Sequence, residues 1–196
     1  MIVVFERQTS SVVEVKYDNM VLLSMLAALA GSIMGIVAFM MPDDRIKLAG
    51  ILAGATFVLE GLISLYKFKN RDGAKIFALN MILGFLLIGV GLLLIILPYD
   101  KVGTPAFFLG TGTILNGILA ANYGIWLKVA RDAAWSVLIA LGLLLVIIGI
   151  IDMFAPFARL SVCQFIGAFT VIDSILQLTV ALLFRQRAEE IKHIFW

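Results

Sequence analysis

Six long stretches of this chain carry almost no charge. Asn19 to Pro42, Ile76 to Tyr99 and Val102 to Leu127 hold no charged residue. Leu48 to Tyr66 holds only Glu60, Ala133 to Ala158 only Asp152, and Leu160 to Phe184 only Asp173. About 20 apolar residues in a helix cross the roughly 30 Å of hydrocarbon in a bilayer. In lipid a backbone must satisfy its own hydrogen bonds, which leaves helices and closed barrels. A barrel needs strands that alternate in polarity, and runs such as Leu92-Leu93-Leu94-Ile95-Ile96-Leu97 do not alternate. The stretches are therefore six expected transmembrane helices.

Composition points the same way. Hydrophobic residues make up 62% of the 196 and charged residues 14%. A soluble domain carries roughly 25% charged residues, and a disordered chain needs low hydrophobicity. The net charge of +2 is small, and the basic residues sit in short loops. They read as topology signals and not as a nucleic-acid surface. The lone cysteine, Cys163, lies in an apolar run and reads as a small packed hydrophobe. With one histidine, His193, there is no Cys/His zinc cluster. Residues 1–19 hold Glu6, Arg7, Glu14, Lys16 and Asp18, unlike a cleaved signal peptide.

Three of the connections are tight and contain Pro42, Pro98 and Pro156. They hold four basic residues: Arg45, Lys47, Lys101 and Arg159. The tails and the other two connections hold eleven. The positive-inside rule puts both termini in the cytoplasm, with the proline turns outside.

The turns also mark a repeat. Seven residues before each proline stands a glycine: Gly35, Gly91 and Gly149. Fourteen before stand Ala28, Gly84 and Gly142. After each turn comes another glycine (Gly54, Gly110, Gly167), and six residues on a polar residue (Glu60, Asn116, Asp173). A small residue follows each time: Gly61, Gly117 and Ser174. This register needs only one-residue adjustments and reads as three tandem copies of a hairpin of about 56 residues. Each copy crosses twice, so all enter the membrane in the same sense, and a pseudo-threefold bundle is the expected arrangement. The expected fold class is an all-α membrane protein. It has an N-terminal tail (1–19), a membrane domain (20–185, with repeats at about 22–71, 78–128 and 136–185) and an interfacial C-terminal tail (186–196). Small residues spaced by four, as in Gly31/Gly35 and Gly50/Gly54, or by seven, line one helix face. They let helix backbones approach closely in lipid.

Glu60, Asn116 and Asp173 are the candidate site. A charge near mid-bilayer costs at least about 2.5–3.5 kcal/mol, so it faces a protein interior or a wet cavity. The shared register puts the three at one depth. If the even-numbered helices line the axis, their side chains converge, and two acids so close would not both ionise readily. The triad fits structural hydrogen bonding, a proton- or ion-linked role, or contacts to a partner subunit. Asp152 stands outside the register and reads as a residue near the outer interface, within reach of Arg159. Thr56, Thr111, Thr113, Thr170, Ser64 and Gln177 either line a cavity or bond their own backbone. Val12 to Tyr17 alternates loosely, as a short strand or a tail would, and Arg185 to Trp196 reads as a helix continuing from the last span. Phosphate loops, dinucleotide fingerprints and hydrolase motifs are missing, so the expectation is a non-enzyme with no cofactor and no metal.

The proline turns Met41-Pro42-Asp43, Leu97-Pro98-Tyr99 and Ala155-Pro156-Phe157, the glycines seven residues earlier and the segment Gly110 to Gly117 resemble the short membrane repeat of the HdeD family. The resemblance covers roughly residues 22–187. It implies a six-span protein of a prokaryotic cytoplasmic membrane, and the family's namesake links it to acid resistance. The leading expectation is a protein of acid or stress tolerance that uses Glu60 and Asp173 as protonatable groups. The alternatives are a small proton, cation or solute channel or carrier along the axis, and a scaffold for partner membrane proteins. The expected partners are membrane lipid and either a second copy or another membrane protein.

Overall fold

The computed structural model describes residues 22–69, 78–97, 103–129, 134–154 and 161–195. Among these residues the chain is helix and turn. Helix α1 spans Leu22–Phe39. A 3-10 turn, Asp43–Arg45, leads into α2 (Ile46–Lys69), followed by α3 (Ala78–Ile96), α4 (Gly103–Val129), α5 (Trp135–Phe154) and α6 (Val162–Phe195). Pro42 precedes the 3-10 turn in an extended conformation, where its fixed φ and missing N–H do no harm. Pro105 sits in the first turn of α4, the other place a helix tolerates proline. Pro98 and Pro156, the N-terminal tail with its possible strand, Arg71 and Arg159 lie outside the described residues. The helix expected beyond the last span is present, since α6 runs unbroken to Phe195.

Five helices, all but α4, are long and apolar enough to cross a membrane. α4 has the length, at 27 residues, but carries Thr111, Thr113, Asn116 and Asn122 among its apolar residues. Its place in the bundle accounts for this. It packs against α2, α3, α5 and α6, so much of its surface meets protein and not the outside.

The exterior is apolar: Ile33 on α1, Phe85 on α3 and Leu143 on α5 are all more than half exposed. The interior contains Thr56, Thr113, Asn116, Asp152, Thr170 and Asp173, all buried. Polar groups inside and bare hydrocarbon outside suit a chain whose solvent is lipid.

Glycines set the helix spacing. A Cβ on Gly54 would lie 2.6 Å from the Gly91 carbonyl oxygen, and one on Gly91 would lie 2.6 Å from that of Gly54. Gly61 and Gly84 repeat this contact further along α2 and α3, at 2.7 and 3.0 Å. Gly110 with Gly149, and Gly117 with Gly142, join α4 to α5 in the same way, and Gly35 with Gly167 joins α1 to α6. A real Cβ needs about 3.4 Å, so each seam excludes even alanine unless the helices part. The seams do not join the two helices of one hairpin. They join α2 to α3, α4 to α5, and the last helix to the first.

Candidate functional site

Glu60 on α2, Asn116 on α4 and Asp173 on α6 meet between the three even-numbered helices. The Asn116 amide donates from Nδ2 to Glu60 Oε2 at 2.6 Å and to Asp173 Oδ2 at 2.8 Å. One NH2 group thus spends both its protons on two carboxyls from two other helices. Asn116 and Asp173 are buried, and Glu60 is half-buried. α2, α4 and α6 contact one another pairwise, and the triad bridges all three.

The charge around the triad is one-sided. The basic side chains described are Arg45, Lys47 and Lys128, and all three are exposed. Lys128 lies over the Trp135 ring, 4.8 Å from its centre. No described cation is buried beside the acids. A buried carboxylate such as that of Asp173 is costly without a counter-charge, and a proton or a cation is what can offset it.

The hydroxyls around the triad mostly bond their own helix. Thr170 donates to the Ile166 carbonyl at 2.7 Å, Thr111 to that of Phe107 at 2.8 Å and Thr56 to that of Leu52 at 3.1 Å. Phe57 stands at the register position held by Thr113 and Thr170 in the other two hairpins. Its ring lies against Gly112, where a Cβ would meet ring atoms at 2.5–2.8 Å. That side of the triad, toward the proline turns, is filled with carbon between α2 and α4.

A second polar contact lies nearer the termini. Asn122 donates from Nδ2 to Asn80 Oδ1 at 3.0 Å, and Ser64 donates to the Asn80 backbone carbonyl at 2.9 Å. Sequence reasoning passed over Asn80 and Asn122. They stand out of repeat register, and the only available signal was an amide inside each of two apolar runs. Gly124 was also missed; a Cβ there would lie 2.9 Å from the Ile139 nitrogen and the Trp135 carbonyl oxygen.

The Asp152 side chain is fully buried between helices, and neither carboxyl oxygen has a hydrogen-bond partner among the described residues, which do not include Arg159. The register explains the burial: the equivalent residues, Ala38 and Leu94, are buried too, at 1% and 0% exposure. The position faces inward whatever residue occupies it. Cys163 is buried, as expected of a small hydrophobe. Its thiol lies 3.4 Å from the Pro42 carbonyl, and its N–H points at Asp43 Oδ1, 3.5 Å away. The first proline turn thus rests on the start of α6. An apolar furrow of about 500 Å³ runs between α1 and α2, lined by Leu23, Leu26, Leu59, Leu62 and Tyr66 among others. Among the described residues no group of His, Cys, Asp or Glu could hold a metal ion.

Apolar outer faces, glycine seams and polar groups turned inward define a polytopic helical membrane protein. Its sequence carries an internal repeat. A family described as a short repeat of unknown function (DUF308) matches residues 26–96 and 140–196, together more than half of the chain. The chain belongs to that family, which is also the family of HdeD. The stretch between the two matches contains α4, the one long helix that is not among the five apolar enough to cross a membrane. No curated protein and no solved structure matches the chain.

Proposed function

We propose that this is a non-enzymatic, multi-pass protein of a prokaryotic cytoplasmic membrane, of the HdeD type, whose buried triad binds and releases a proton. The state of the triad sets how tightly the three inner helices hold together, which gives the protein a role in acid or stress tolerance. The observation that carries this reading is the Asn116 amide donating to both Glu60 and Asp173. A change of charge on either acid alters a contact that spans three helices at once. Among the described residues no cation is buried beside Asp173, which supports a proton as the partner, since it neutralises a carboxyl without needing a coordination shell.

In the same reading the chain is three hairpin repeats about a pseudo-threefold axis along the membrane normal, with both termini cytoplasmic. Two observations support the symmetry: the glycine seam recurs between each even-numbered helix and the next odd-numbered one, with α6 meeting α1, and the triad draws one residue from each hairpin. The excess of basic residues on the side of the tails supports the orientation. Lipid covers the apolar outer faces.

The test uses the protein reconstituted in vesicles, with tryptophan emission followed across pH for wild type, Glu60→Gln and Asp173→Asn. The wild type is expected to show a sigmoidal change that both variants flatten or displace. Three superimposable profiles would sink the proposal.

A further inference from the structure

We propose that Asp152 is a second proton-binding carboxyl, standing on the proline-turn side of the triad and interacting with Asp173. Three observations meet here. The side chain is fully buried and both its oxygens lack hydrogen-bond partners among the described residues. Asp173, the acid of the triad on the neighbouring helix α6, itself has one buried oxygen, Oδ1, without a hydrogen-bond partner among the described residues. The seams Gly110–Gly149 and Gly117–Gly142 fix the register of α5 on α4 and set Asp152 opposite Phe107. That is nine residues from the level of Asn116, or about 13 Å along the helix axis.

Side chains shorten that separation. Every Cα–Cβ bond tilts toward its own helix N-terminus. α5 and α6 run in opposite directions, so Asp152 leans toward the triad and Asp173 leans toward the turns. Thr113 and Thr170, both buried, stand about one helical turn from the triad on that side. Among the described residues no other titratable group competes from the packed faces. The described part of α4 has none on this side of the triad, α6 adds only Cys163, and α2 adds Glu60 and the exposed Lys47. Asp100, Lys101 and Arg159 of the turns lie outside the described residues.

The step itself is a simple one. A hydronium ion gives its proton to one Asp152 oxygen and leaves as water, and the reverse step returns the proton to solvent at the turn end of the bundle. The inference rests on the triad reading only for its coupling partner.

Infrared difference spectra of the reconstituted protein, from mildly acid to mildly alkaline pH, test it in the carbonyl-stretch region of protonated carboxyls. The wild type is expected to show a titrating band that Asp152→Asn removes and whose midpoint Asp173→Asn shifts. Asp152→Leu should fold, because Leu94 fills the equivalent position, and should lose the same band; this separates lost chemistry from lost structure. A band that survives Asp152→Asn overturns the proposal. So does a midpoint indifferent to Asp173→Asn, or a band that appears only once Arg159→Gln frees an ion-paired Asp152. Failure of the triad reading looks different: Glu60→Gln and Asp173→Asn leave every other band in place.

Discussion

Gly89 and Gly91 are near neighbours on α3, yet a methyl group at the two sites should act with opposite sign. At Gly91 a Cβ would fall 2.6 Å from the Gly54 carbonyl oxygen and 3.0 Å from the Val58 nitrogen. Both are backbone atoms, so no side chain can swing away. To reach ordinary contact at about 3.4 Å, α3 must retreat from α2 by roughly 0.8 Å. A gap of 0.5–1 Å already forfeits about a quarter to a half of the dispersion energy of the atoms that face it. The seam extends to Gly61 and Gly84, so the loss is shared along the helix pair. Overpacking of this kind costs about 1–3 kcal/mol. At Gly89 a Cβ meets nothing within 4 Å, and alanine there gains up to about 1 kcal/mol of helix propensity. Unfolding in mixed micelles of rising dodecyl sulfate content, followed by circular dichroism, reads both variants against wild type. Gly91→Ala should unfold at lower detergent fraction, and Gly89→Ala at the same or a higher one. Equal losses in the two, or none in Gly91→Ala, would refute the reasoning from close backbone approach.

Three more predictions rest on other contacts. Asn116→Leu removes both amide bonds of the triad and should cost about 2–4 kcal/mol, at about 1–2 kcal/mol per interhelical bond in lipid; the same unfolding assay checks it, and a variant as stable as wild type contradicts the bridge. Gly112→Ala and Phe57→Leu should be coupled, the double variant losing at least about 0.5 kcal/mol less than the sum of the singles; strict additivity would mean the ring does not rest on Gly112 in the membrane. Cys163 is fully buried, so maleimide labelling of the folded protein should be slow and become fast on unfolding. Rapid labelling in the native state would show that the first turn does not cover the start of α6.

Much of this architecture could be read from residue spacing. Charge-free runs of membrane length mark the helices, because charge inside hydrocarbon is costly. The common offset of Glu60, Asn116 and Asp173 from the prolines put them at one depth, and the hydrogen bonds bring the three side chains together. The glycines were legible as close-packing residues but their partners were not. A stripe of small residues tells which face approaches another helix, not which helix arrives, and here the partner comes from the adjacent hairpin. Nearness to a turn did not tell whether Asp152 faces its neighbouring helices. The better guide was the company it keeps in register, Ala38 and Leu94, which are small or apolar residues on a buried face. The modest hydropathy of α4 was visible as Thr and Asn residues, but its many helix neighbours, which make that composition tolerable, were not.

The seam between α1 and α6 bears on how the chain is made. Gly35 emerges with the first helix and finds Gly167 only when the last has been inserted. Hairpin-by-hairpin insertion therefore leaves a growing arc whose leading face stays solvated by lipid until synthesis is nearly complete. Closure is a late, long-range event of the kind that slows folding. Until then the Gly31 and Gly35 face of α1 stands without the helix that the finished bundle packs against it.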